Sequence, residues 1–199
     1  MITRKEMTRM LLKEGLLSWL ANNSFESVTV TSLCKASGIT RSTFYLHYSN
    51  IMEIVDDLVD DAIAYSKPGM VDNNNLQTIA NTLSAASNSV SLREAYDSIF
   101  DRLPLCQRII RHKKYLPLFL DEQISEYVLQ RIIGREKDRQ GLVIAESLGV
   151  LFDVGVSVFV FLVHGLYAVN KQYKWSQSDE WLEAQKIIFE LVYRGLQSR

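Results

Sequence analysis

The sequence predicts an all-α protein: a small helix-turn-helix head on a larger helical body, about nine helices in all. Three observations carry this. Only 9 Gly and 3 Pro among 199 residues leave few positions for turns. Apolar residues recur at helical rather than strand spacing from the amino terminus onward. The chain is 47% hydrophobic, enough for a sizeable core, with no Gly/Ser/Pro-rich linker and no low-complexity run.

The first helix is expected over 3–22, where Met7, Met10, Leu11, Leu17 and Leu20 alternate with charges and Asn22-Asn23-Ser24 ends the run. Thr29 then serves as an N-cap, its hydroxyl accepting from a backbone N–H one turn on, and a short helix follows over 30–36. Ser37-Gly38 breaks it, and Thr40 caps a second short helix ending near Tyr48. A longer helix begins at Ser49 or Asn50 and runs to about Ser66, with Glu53, Asp56 and Asp57 near the positive end of its dipole. Pro68-Gly69 and Asp72 to Asn75 mark the clearest interruption.

Beyond that point helices are expected at about 76–89, 91–103, 105–114 and 118–133. The run from Gly134 to Gly141 reads as a charged loop, followed by a long helix over about 142–172 and a last one over about 178–197. The long helix is rich in Val and Phe, yet nothing divides it into strand lengths. The expected domains are therefore 1–49 for the head and 50–199 for the body.

Composition narrows the function. Cys34 and Cys106 lack CxxC or Cys/His spacing, and His112 and His164 have no carboxylate or Cys companions at ligand spacing, so no metal and no disulfide framework is expected. No nucleophile triad, paired-carboxylate or phosphate-loop pattern is visible, so neither catalysis nor a cofactor is expected. The start, Met1-Ile-Thr-Arg-Lys-Glu, has no apolar signal region, and the apolar run Val154 to Val169 falls short of the roughly 20 residues a membrane span needs. A cytoplasmic protein with no membrane partner is the expectation. Net charge is −1, but residues 1–50 hold six basic and three acidic groups, so the head is +3 and the remainder −4.

Two short helices joined by a Gly-containing turn describe a helix-turn-helix. Leu33, Ala36, Ile39, Phe44 and Tyr48 can pack it onto the first helix, leaving Arg41, Ser42, Tyr45 and Leu46 outward. A helix fits the DNA major groove, and the Arg41 fork suits guanine O6 and N7. Thr29, Thr40, Thr43, Tyr45 and His47 offer donors to phosphate oxygens. The stretch Val28 to Asn50, with Thr29, Leu33-Cys34, Gly38, Thr43-Phe44-Tyr45 and His47-Tyr48 in place, resembles the signature of the TetR family of transcriptional regulators over roughly fifty residues.

The resemblance implies a homodimer that joins through its last two helices, binds a near-palindromic double-stranded DNA operator, and is released by a small-molecule effector held in the body. By position, Thr31, Arg41, Ser42, Tyr45 and His47 become base or backbone contacts, with Thr29, Thr40 and Thr43 near phosphates. Ile51 stands where the family has a Lys, so one phosphate contact is missing, although the amides opening helix four could still meet a phosphate. Tyr96, Phe100, Phe119, Phe159, His164 and Tyr167 are candidate effector-pocket residues. The basic cluster Arg108, Arg111, His112, Lys113 and Lys114 is read as a solvated face, and Cys34 as a small buried thiol. Two alternatives stand beside this reading: a TetR-like coactivator or nucleoid-associated factor whose body docks a protein, and an enzyme or carrier with a vestigial head.

Overall fold

A computed structural model describes residues 3–66, 75–104, 107–108 and 113–197. Among the described residues the chain is all-helical, with ten α-helices and no strand. They are α1 (Arg4–Leu20), α2 (Val30–Ser37), α3 (Arg41–Tyr45), α4 (Ile51–Ser66), α5 (Asn75–Ser84), α6 (Ser89–Ser98), α7 (Leu116–Leu120), α8 (Ser125–Leu148), α9 (Phe152–Gln172) and α10 (Asp179–Gln197). The expected break at 68–74 and most of the expected helix at 105–114 lie outside the described residues, as does Cys106.

The chain forms two compact units: Met1–Tyr65 with His112–Ile132, and Ser66–Arg111 with Ile133–Arg199. The first is wider than residues 1–49, because α4, α7 and the start of α8 cluster with the head. Its α1 opens with a capping box: the Thr3 hydroxyl accepts from the Glu6 amide, and the Glu6 carboxylate accepts from the Thr3 amide at 2.7 Å. The buried stripe of α1 is Thr8, Leu12, Leu16 and Leu20 with Leu17 beside it, a four-residue repeat that follows one helical face. Met7, Met10 and Leu11, expected inward, lie off that stripe and are about 40% exposed. Leu33, Phe44, Ile54, Leu58 and Val128 complete a core with essentially no solvent exposure.

Asp121 explains why residues so far along the chain belong to the head. Its carboxylate accepts from the Phe25 amide at 2.7 Å, and from the amides of Gln123 (2.9 Å) and Ile124 (3.2 Å) that precede α8. One nearly buried side chain thus satisfies three backbone donors and pins the turn between α1 and α2.

In the second unit α10 packs on α5 and α6. Trp181 is wholly buried, edge-on to Tyr96 at 5.1 Å, and its indole N–H donates to Asn170 at 3.0 Å. Lys186 donates to the Ala86 carbonyl at 2.9 Å, and Arg93 pairs with Asp179 at 2.8 Å. Between α9 and α10, Lys174 (φ 51°) and Trp175 (φ 56°) are two successive left-handed residues that are not glycine. Such a conformation costs roughly 1–2 kcal/mol per residue. It is held by the Trp175 amide on the Asn170 carbonyl (2.8 Å) and by burial of the Trp175 ring against Tyr167.

Several expected element boundaries differ in the structure. Residues 134–141 are not a loop but the middle of α8, and the long helix 142–172 is broken at 149–151. Arg, Glu, Lys and Gln are good helix formers, so the charged run reads better as a solvated helical face. Gly141 marks close approach rather than a turn: a Cβ there would lie 3.0 Å from the Val156 backbone, and one on Gly155 would lie 2.2 Å from the Gly141 carbonyl oxygen. The break is Gly149, at φ +62°. The expected helices at 76–89 and 91–103 also end sooner, at Ser84 and Ser98, and the expected 118–133 helix is two elements, α7 and α8.

Candidate nucleic-acid interface

The helix-turn-helix is assembled by local hydrogen bonds. Thr29 caps α2 through a reciprocal pair with Ser32: its hydroxyl accepts from the Ser32 amide (3.0 Å), and the Ser32 hydroxyl accepts from the Thr29 amide (2.9 Å). The turn requires Gly38, which sits at φ +67° and lets the Ile39 amide reach the Cys34 carbonyl at 2.9 Å. Thr40 caps α3, accepting from the Thr43 amide at 3.2 Å. Its hydroxyl also bonds those of Ser42 (3.0 Å) and Thr43 (2.8 Å). Three hydroxyl protons serve two internal links, so one remains to be donated outward.

Phe44 and Tyr48 anchor α3, with 0% and 3% exposure, and their rings meet at 6.2 Å. The opposite face is open: Arg41 and Ser42 are exposed, Tyr45 is 53% exposed and Leu46 80%. Thr31 is exposed on α2. His47 is half-buried, and its Nδ1 has no hydrogen-bond partner among the described residues. Ala36, expected to pack, faces solvent, while Cys34 is buried, which raises its thiol pKa. Thr31 on α2 and Thr40, Arg41, Ser42 and Tyr45 at α3 are thus solvent-accessible, Thr43 is half-buried, and hydroxyl contacts join Thr40 to Ser42 and Thr43.

Behind that face lies a charge network. Asp57 accepts from the Arg9 guanidinium and from the Tyr48 hydroxyl (2.5 Å), and Arg9 also stands over the Tyr48 ring at 5.0 Å. Lys13 pairs with Asp61 at 2.5 Å, a parallel rung one turn further along both helices. Asp56 is held by Tyr127 (2.7 Å) and Arg131 (2.7 Å), and Glu14 by Lys114 (2.6 Å). Burial, then the Asp57 hydrogen bond, raises the Tyr48 hydroxyl far above the ordinary phenol range.

This network changes the electrostatic reading. Met1–Tyr65 holds six basic and eight acidic residues and His112–Ile132 three of each, so the unit carries −2 although residues 1–50 alone carry +3. Arg4, Lys5, Lys35 and Arg41 are the head cations that make no ion pair among the described residues. The start of α4 is also occupied: Asn50 accepts from the Glu53 amide (3.1 Å) and Glu53 accepts from the Ser49 amide (2.8 Å). Of the amides that open α4, that of Glu53 is thus already met by Asn50, and the Glu53 carboxylate lies against the Ser49 amide just before the helix.

The six effector-pocket candidates are divided between the two units. Phe119 belongs to the first unit; Tyr96, Phe100, Phe159, His164 and Tyr167 belong to the second. Tyr96 and Tyr167 are buried, while Phe100, Phe159 and His164 are half-buried. In the second basic cluster Lys113 and Lys114 are exposed, Lys114 in an ion pair with Glu14, whereas Arg108 is buried at 6% exposure; Arg111 and His112 lie outside the described residues. Sequence reasoning missed an apolar groove of about 400 Å³ between α9 and α10, lined by Phe161, Leu162, Val169, Ile188, Leu191 and Val192. Its signal was present, since a helix apolar on every side needs a second partner. No family model, curated protein or solved structure matches the chain in comparison.

Proposed function

We propose that the chain is a homodimeric DNA-binding transcriptional regulator of TetR-like type, cytoplasmic, and a repressor that leaves its near-palindromic operator when a small molecule binds the body. The observation that carries this reading is the exposed face of α3, with Arg41, Ser42 and Tyr45 presented to solvent over a Phe44–Tyr48 anchor. Successive major grooves require two such helices. The second copy is supported by the apolar α9–α10 face, where Phe161 is 74% and Leu191 66% exposed. In this reading α4, gripped by ion pairs from α1 and α8, transmits the signal, and the effector acts through its differential affinity for two head arrangements.

Anisotropy on DNA from upstream of the gene, over a salt series, tests it. Arg41→Ala should weaken specific binding by about 1–3 kcal/mol. With four unpaired head cations the salt slope should correspond to about four phosphates per protomer or fewer. Equal weak binding to unrelated DNA would defeat the proposal. The second reading, a regulator whose body docks another protein, draws on the same apolar face; a purified monomer that still shows that face would favour it.

A further inference from the structure

We infer that a buried amide relay in the second unit is the recognition element for an uncharged, carbonyl-bearing effector. This rests on the effector-regulated reading above and names the ligand class. Gln107 and Gln185 are 78 residues apart and both fully buried, and the Gln107 side-chain amide donates to the Gln185 Oε1 at 2.8 Å. The Tyr96 hydroxyl donates to the Gln107 Oε1 at 3.3 Å. Every link donates toward the next, so the relay ends on an amide nitrogen. That nitrogen, Gln185 Nε2, has no hydrogen-bond partner among the described residues.

Local packing does not explain an amide there. Gln185 lies on α10 four residues after Trp181 and four before Phe189, both buried, so it occupies the apolar stripe of the helix. A buried donor without an acceptor is destabilising, and an apolar side chain of similar size would avoid that cost. Sequences break local rules of this kind where a site serves function.

The chemistry of the relay selects its ligand. The unmatched group is an N–H donor, so the ligand must bring an acceptor. Tyr96, Gln107 and Gln185 are all neutral, as are the adjoining Trp181 and Asn170. A cationic ligand would find no counter-ion among these groups, and burying an unpaired charge is prohibitive; the buried Arg108 beside Gln107 in the chain makes benzoate the charged probe to compare. An amide, ester or ketone oxygen meets both conditions.

The test is the melting temperature of the full-length protein with benzamide, methyl benzoate and acetophenone, and with benzoate as the charged counterpart. Gln185→Glu keeps the acceptor for Gln107 but replaces the open donor by an oxygen; Gln107→Leu with Gln185→Leu removes both amides in case that carboxylate unfolds the chain. At least one neutral carbonyl probe should raise the wild-type melting point by about 2 °C or more, equivalent to roughly 0.5–1 kcal/mol for a chain of this size. Benzoate should not, and the shift should vanish in both variants. Equal shifts in wild type and variants, or no shift with any neutral probe and an ordered water only on Gln185, would overturn the inference. DNA anisotropy separates it from the reading beneath it. Probe binding without change in DNA affinity keeps the site and removes its regulatory role, whereas specific DNA binding with no probe shift removes the site alone.

Discussion

Asp57 is the residue on which the head should most visibly depend. Its carboxylate accepts from Arg9 and from the buried Tyr48 hydroxyl, so it joins α1, the segment that follows α3, and α4. The two contacts differ in worth. The Arg9 side chain is 36% exposed and that of Asp57 23%, so solvent screening limits the ion pair to about 0.5–1 kcal/mol. Tyr48 is 3% exposed, and removing its acceptor leaves a buried hydroxyl unsatisfied, at about 1–3 kcal/mol. Asp57→Ala should therefore cost about 2–4 kcal/mol, and Asp57→Asn, which keeps an oxygen for Tyr48, only about 1 kcal/mol. In a Tyr48→Phe background no hydroxyl needs an acceptor, so Asp57→Ala should fall to the ion-pair cost alone. Urea unfolding of wild type, the two single variants and the double variant gives the coupling as a double-mutant cycle. Two results would refute the assignment of that energy to the buried hydroxyl. One is an equal loss for Asp57→Ala and Asp57→Asn. The other is an Asp57→Ala loss that stays the same when Tyr48→Phe is also present.

Three other outcomes are expected. Phe161→Glu with Leu191→Glu places charge on the apolar α9–α10 face and should yield a folded monomer in light scattering; a dimer that persists would place the interface elsewhere. Truncation before α10 is a poorer test, because it removes the buried Trp181, Gln185 and Phe189. Lys174→Gly relieves a left-handed residue and should raise stability by about 0.5–1 kcal/mol in urea titration. Hydrogen bonds from the Thr3 amide and then its hydroxyl hold the Glu6 carboxyl below its ordinary value of 4.5. Because the folded value is the lower one, the cap is fully present above about pH 4.5 and lost as pH falls through the depressed value. Hydrogen exchange at the first turn of α1 should accelerate over that acid range in wild type and show no such dependence in Glu6→Gln.

The head was legible because its signals are local. Thr29, Gly38 and Thr40 each act within four residues, so their roles follow from residue type and position. The helical class was legible for the same reason. What escaped was set by distant partners. Gly141 and Gly149 look alike in sequence, yet one permits helix contact and the other ends a helix, and only Val156 distinguishes them. The positive head charge was visible, while its cancellation by the acidic residues of α4 depended on a pairing 48 residues away. The effector candidates share aromatic character, which says nothing of whether they meet in space. The exposed α3 residues, by contrast, follow from the burial of Phe44 and Tyr48 on the same short segment.

The grip of Asp121 on the Phe25 amide has a consequence for how the chain is made. Those residues are 96 positions apart, and at translation rates of about 5–20 residues per second that separation takes roughly 5–20 s. During that interval the turn leading into the helix-turn-helix lacks the carboxylate that holds its amide in the folded chain, and the nascent head is an incomplete domain. The amino-terminal third of the chain thus waits for its middle before it is finished. A fragment or fusion cut between residues 66 and 121 would keep the exposed residues of α3 and lose the clasp that holds the turn before α2.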